Sequence, residues 1–217
     1  MFVGVKEDLR QLLQEIKDSE LRWRLKFHAV HWTAKYEFEQ NYFGKPEWSQ
    51  PLGFPLTASD RIIVATPEKC YEVLKSMDNE ITKSQLDILF GKLETMCRVI
   101  RDNEFPLKKS EPLYPKEIDD ILHCRGKYAH INKGQPFIST TDEGDYTIAK
   151  QTRNAPHHSD DKIDRKWEDS NKESGYFAHL SIKKGDVVPG GVPDVERWQD
   201  MIIRIAENMV KHADATF

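Results

Sequence analysis

The sequence predicts a mainly α-helical protein: a bundle of about five helices with a small β-containing insertion before the last helix. Three observations carry that expectation. Leucines and isoleucines recur at helical spacing along most of the chain. Prolines stand where several of those segments begin, as they do at helix N-termini. Residues 134–192 break the pattern with turn residues and short β-branched runs. With 217 residues, the chain is read as a single bundle domain, 1–217.

The first helix is expected over 5–39. Leu9, Leu12, Leu13 and Ile16 form one stripe, continued with some drift by Leu21, Leu25, His28 and Trp32, and Asp18-Ser19 marks a break with a new N-cap. Residues 41–66 are rich in proline and glycine and read as an irregular loop pinned by aromatics. Helix resumes in "TPEKCYEVLKSM", with Thr66 as N-cap and Pro67 at the first helical position. A further helix, "TKSQLDILFGKLETMCRVIRD", puts Leu86, Leu89, Leu93, Met96, Val99 and Ile100 on one face, and Pro106 closes it. "YPKEIDDILHCRGKYAH" starts a helix at Pro115 that turns Ile118, Ile121 and Leu122 to the core. The last helix, "PDVERWQDMIIRIAENMVKHA", takes Asp194 as its cap and buries Val195, Trp198, Ile202, Ile205 and Met209. The insertion 134–192 is expected to hold short strands in "PFISTTDEGDYTIAKQT" and "GYFAHLSIKKGDVVPGG", with turns at Glu143-Gly144 and Lys184-Gly185. Between them a polar stretch from Asn154 to Ser174 is the expected first site of proteolysis, peripheral to the bundle.

Composition narrows the function. Hydrophobic residues at 38% and charged residues at 31% are the proportions of a soluble globular chain. No apolar run approaches the ~18 residues of a membrane helix, and the N-terminus lacks the apolar core of a secretory signal. A cytoplasmic protein without membrane contact is expected. The net charge of −4 argues against a general nucleic-acid coat, so any phosphate recognition must be local. Cys70, Cys97 and Cys124 are odd in number and widely spaced, which speaks against a disulfide framework or a Cys-x-x-Cys zinc site.

The chemistry concentrates in "ILHCRGKYAHIN", residues 121–132. On a straight helix Arg125 and His130 diverge by about 140°. Their convergence needs a helix loosened at Gly126 or a twofold axis beside the turn. "RGKYAH" resembles the Arg-x4-His signature of HEPN domains, a superfamily of helical-bundle proteins. In that family the motif follows a core-facing helix and a terminal helix completes the bundle. The resemblance extends over residues 80–130 and 194–213. It implies a metal-independent RNA endonuclease of toxin or phage-defence type, working without a cofactor as a homodimer, with Arg125 and His130 as catalytic residues. An antitoxin or regulatory protein is a further partner of such a nuclease. Gly126 departs from the pattern, because catalytic members often carry Asn, Asp or His after the arginine.

These residue types suit that reaction. An imidazole exchanges protons near neutral pH. A guanidinium stabilises a pentacovalent phosphate through its planar fork. Lys127 and Tyr128 are the candidate substrate contacts, one to phosphate and one to a stacked base. An arginine and a histidine at a helix end also pair with acids such as Asp119 and Asp120.

Two other functional classes stay open. One is a catalytically silent HEPN-like module that binds RNA, a nucleotide or a partner protein. The other is a metal-binding helical protein using His28 and His31, which stand at i, i+3. "HHSDDKIDR" around His157 and His158 reads as solvated loop. Arg22, Arg24 and Lys26 form a basic stripe able to steer RNA.

Overall fold

In the computed structural model, the backbone is described for residues 3–41, 52–55, 62–65, 67–158, 162–189 and 192–216. Side chains are described for 4–27, 81–155, 162–189 and 194–216. The described chain is mainly helical. Six α-helices occur in it: α1 (Val3–Asn41), α2 (Pro67–Glu104), α3 (Pro115–Leu122), α4 (Glu143–His158), α5 (Arg165–Ser174) and α6 (Val192–Thr216). The expected count of about five is low by one.

Helix α1 runs unbroken through Asp18-Ser19. Ser19 is buried, and its hydroxyl donates to the Ile16 carbonyl at 2.9 Å. The polar side chain is thus satisfied inside the helix and does not cap a new one. Leu9, Ile16 and Trp23, seven residues apart, make the buried seam. Helix α2 is likewise continuous for 38 residues, where the sequence suggests two helices. No glycine or proline stands between Pro67 and Gly91 to interrupt it. Leu86, Leu89, Phe90, Leu93, Met96, Cys97 and Ile100 are buried along it.

The polar contacts fix how the long helices run. Arg10 meets Asp214 at 2.7 Å, Lys17 meets Glu207 at 2.8 Å, and Arg24 meets Glu196 at 2.7 Å, so α1 and α6 are antiparallel. Lys92 pairs with Glu15, and Gln85 donates to Ser19 at 3.4 Å, so α1 and α2 are antiparallel as well. Consequently α2 and α6 run parallel, and their C-termini lie at the same end of the bundle. Such half-exposed ion pairs contribute about 0.2–1 kcal/mol each. The seam of Val195, Trp198, Met201, Ile202, Ile205, Ala206 and Met209 on α6 supplies far more through apolar burial.

The insertion departs from expectation. Residues 136–152, expected as strand, carry the start of α4. Ser139 begins the reason: its hydroxyl accepts the Asp142 N–H at 3.2 Å, and the Asp142 carbonyl accepts the Tyr146 N–H at 2.8 Å. Asp142 thus stands at the N-cap, with Glu143 and Asp145 in the first turn facing the positive helix end. Tyr146, Ile148, Ala149, Thr152 and Ala155 are buried, a helical pattern that β-branched residues disguised. Among the described residues of the stretch 175–191, which are 175–189, the expected strand reduces to one isolated antiparallel bridge, Lys162 to Val187. The described chain does contain a hairpin, but within 41–66: β1 (Leu52–Pro55) pairs antiparallel with β2 (Ile62–Ala65).

The block is also not peripheral. Phe137, Ile163, Trp167 and Phe177 join the main core, and α4 packs on α2, α5 and α6. Trp167 is 1% exposed, stacks on Phe177 at 5.7 Å and donates its indole N–H to Thr152 at 3.2 Å. Asp164 caps α5 by accepting the Trp167 N–H at 2.8 Å.

Candidate functional site

Helix α3 stops at Leu122, before the arginine–histidine motif begins. His123 closes the helix by donating its N–H to the Asp119 carbonyl. Cys124 and Gly126 then take left-handed backbone angles, φ 48° and 57°. The motif therefore spans one short 3-10 turn, Gly126–Tyr128, with Arg125 at its N-cap and His130 at the N-cap of a second, Ile131–Gly134. The divergence calculated for a straight helix does not apply, because no helix passes through these residues.

Tyr128 anchors the first turn from below. It is fully buried, and its hydroxyl donates to Glu117 Oε1 at 2.5 Å. Lys127 donates to the same oxygen at 2.6 Å, its ammonium 5.2 Å from the centre of the Phe105 ring. Phe105 meets the Tyr128 ring edge-on at 5.4 Å. The Arg101 side chain, 1% exposed, lies 3.9 Å from Glu117 and donates twice to Asp102, at 2.9 and 2.7 Å. Burial pushes the Glu117 carboxyl up. The bonds from Lys127 and Tyr128, with the charges of Lys127 and Arg101, outweigh it and hold the group below the usual carboxylate range. The Tyr128 hydroxyl is raised far above its ordinary value, by burial first and then by its bond to Glu117.

Lys127 and Tyr128 are the two residues read from sequence as substrate contacts. As placed, the Tyr128 ring belongs to the core and offers no face to a base. The Lys127 charge faces Glu117. Both hold the turn.

Arg125 and His130 make no bond to Glu117. Both are exposed. The Arg125 main chain is fixed, its N–H donating to the Asp120 carbonyl at 2.8 Å and its carbonyl accepting from Tyr128 at 3.0 Å. Its guanidinium has no partner among the described residues. The His130 side chain is 58% exposed, and its Nε2 lies 2.8 Å from Glu104 Oε2 on the last residue of α2. Neither motif side chain uses the Asp119 carboxylate, which accepts from Lys150 at 2.6 and 2.7 Å and from the Tyr146 hydroxyl at 3.0 Å. No hydrogen bond links Arg125 to His130. The arrangement presents a free planar cation and a carboxylate-supported imidazole to solvent, on a turn locked by a buried tyrosine.

The remaining candidates are placed as follows. His28 and His31 lie on the helical backbone of α1, and their side chains fall outside the described residues, as do those of His157 and His158. Among the described residues no group of three or more His, Cys, Asp or Glu side chains gathers as a metal site would require. In the basic stripe, Arg24 is occupied by Glu20 and Glu196. Arg22 and Lys26 line an open groove of about 300 Å³ between α1 and α2, with Trp23, Ile81 and Ile88. Cys97 and Cys124 are buried free thiols, and burial pushes Cys124 up to about 11, which makes it a poor nucleophile.

Three residues of this site escaped the sequence reading: Arg101, Glu104 and Glu117. Arg101 carried a signal, since it continues the Cys97–Ile100 core face of α2. The two glutamates carried none, being ordinary surface-type residues 26 and 11 positions from their motif partners. No family model, no curated protein and no solved structure matches this chain.

Proposed function

We propose that the protein is a HEPN-like, metal-independent RNA endonuclease of the toxin or phage-defence kind, with Arg125 and His130 as its catalytic residues. The observation that carries this reading is an arginine with no partner among the described residues and a histidine on a carboxylate, both exposed on a turn that the buried Tyr128 holds. In the proposed reaction the His130 imidazole takes the proton of a ribose 2′-hydroxyl as that oxygen attacks the adjacent phosphorus. Arg125 stabilises the charge that builds on the phosphate oxygens. The 5′-oxygen leaves with a proton from a protonated imidazole, which a second copy of the chain supplies across a twofold axis. The products are a 2′,3′-cyclic phosphate and a free 5′-hydroxyl. General acid–base help of this kind is worth about 10²–10⁴-fold. RNA, a second copy and an inhibitory partner protein are the partners of this reading.

The test is cleavage of single-stranded RNA in the presence of EDTA by wild type and His130→Ala, with melting temperatures measured on the same preparations. Cleavage that resists EDTA and disappears in a normally melting variant is the expected result. Undiminished cleavage by His130→Ala removes His130 from the chemistry. RNA binding without cleavage by wild type favours the silent module, a reading to which Gly126 lends weight because it brings no polar group beside Arg125.

A further inference from the structure

We infer that Glu104 is a positioning residue that fixes which nitrogen of His130 works: it holds Nε2–H and leaves Nδ1 as the free proton acceptor. The use of that nitrogen rests on the nuclease reading. The pairing does not.

The inference follows from donor and acceptor roles. A carboxylate oxygen only accepts, so the 2.8 Å contact between His130 Nε2 and Glu104 Oε2 requires the proton on Nε2. A neutral imidazole carries one N–H, so its Nδ1 then bears the lone pair. Nδ1 has no hydrogen-bond partner among the described residues, and the ring is more than half exposed, so that lone pair is open to a substrate. Glu104 is well placed to hold the ring still. It is the last residue of α2, its side chain is 23% exposed, and Phe105 closes the helix immediately after it with an N–H to the Arg101 carbonyl at 2.7 Å. His212, on the parallel helix α6, also feels the Glu104 charge. Burial lowers the pKa of His212 and Glu104 partly restores it. The carboxylate thus faces imidazoles from two elements, only one of which belongs to the motif.

The pairing is read by nitrogen NMR of histidine-labelled full-length protein at alkaline pH, with His130 assigned by its disappearance in His130→Asn. Turnover and KM are measured on the same single-stranded RNA under EDTA. Wild type and Glu104→Gln, whose amide oxygen can still accept, are expected to show the Nε2–H tautomer almost exclusively. Glu104→Ala is expected to relax to the mixture of a free imidazole, in which Nε2–H is only the majority form. Glu104→Ala is expected to lower kcat about 10- to 100-fold, by analogy with the loss when a group orienting a metal-bound histidine is removed, with KM unchanged and a wild-type melting temperature. An Nδ1–H tautomer in wild type overturns the inference, as does wild-type kcat in Glu104→Ala. If wild type shows the expected tautomer but cleaves no RNA, the nuclease reading and the working role of Nδ1 fall together. If wild type cleaves and only Glu104→Ala behaves normally, the inference alone falls.

Discussion

The motif turn, residues 123–134, and the block that follows it, 137–189, are fastened to the same bundle by opposite means. The turn is held mainly by carboxylates: Glu117, which gathers Tyr128 and Lys127 and faces the buried Arg101, Glu143 on His123, and Glu104 on His130. The block is held by aromatic burial, with Trp167 and Phe177 stacked in the core. Its half-buried ion pairs, Asp145 with Arg197 and Asp142 with Arg204, lie at the rim. The turn's fastening is therefore polar and titratable, while that of the block is mainly apolar. The difference teaches that polarity along the sequence does not report attachment. A functional-looking tyrosine is core, and a polar, peripheral-looking stretch carries one of the two fully buried tryptophans among the described residues.

The comparison breaks most visibly at Trp167. Trp167→Ala should cost about 3–5 kcal/mol, the range for deleting a large buried aromatic. Urea melts should show that loss to be nearly independent of pH. A loss under 1 kcal/mol would return the block to the periphery.

Glu117→Gln should cost less, about 2–3 kcal/mol, because buried Arg101 loses one carboxylate but keeps Asp102. Here the loss should depend on pH. The folded Glu117 carboxyl lies below its unfolded value of about 4.3. Its contribution is therefore full above that pH and disappears as pH falls through the folded value. Urea midpoints of wild type and variant should converge in acid. Midpoints that stay equally far apart down to the acid limit would remove the charge from the explanation.

The smallest effect is expected at Gly126. Its φ of 57° is left-handed, and a Cβ there meets nothing within 4 Å. Asparagine tolerates that conformation, so Gly126→Asn should change stability by less than about 0.5 kcal/mol, whereas Gly126→Val should cost about 1–2 kcal/mol. If the chain cleaves RNA, the added amide beside Arg125 should raise the rate. A melting temperature for Gly126→Asn as low as that of Gly126→Val would show that the position needs glycine itself.

Much of the helical frame was legible because apolar periodicity is a local signal. Leu9 through Ile16, Leu86 through Ile100 and Val195 through Met209 each declare a buried face without knowledge of any partner. The joins were less legible. Asp18-Ser19 looks like a cap because serine and aspartate favour caps, and only the buried Ser19 hydroxyl shows the alternative. Ser139 to Asp142 was the reverse case: a true N-cap hidden among the β-branched residues of "ISTT". At the site, Arg125 and His130 were recognisable by type. Their presentation was not, since it depends on backbone handedness at Cys124 and Gly126 and on glutamates distant in sequence.

That handedness limits how the motif can travel. Cys124, Gly126, Asn132, Lys133 and Gly134 all take positive φ, and the chain between them is pinned by a carboxylate on α3 and another at the tip of α2. A designer who grafts "RGKYAH" alone onto a foreign bundle transfers the letters without the shape. The smallest portable unit runs from Pro115 to Gln135 and brings Arg101 and Glu104 with it, which makes this site a property of two helix ends and a loop rather than of six consecutive residues.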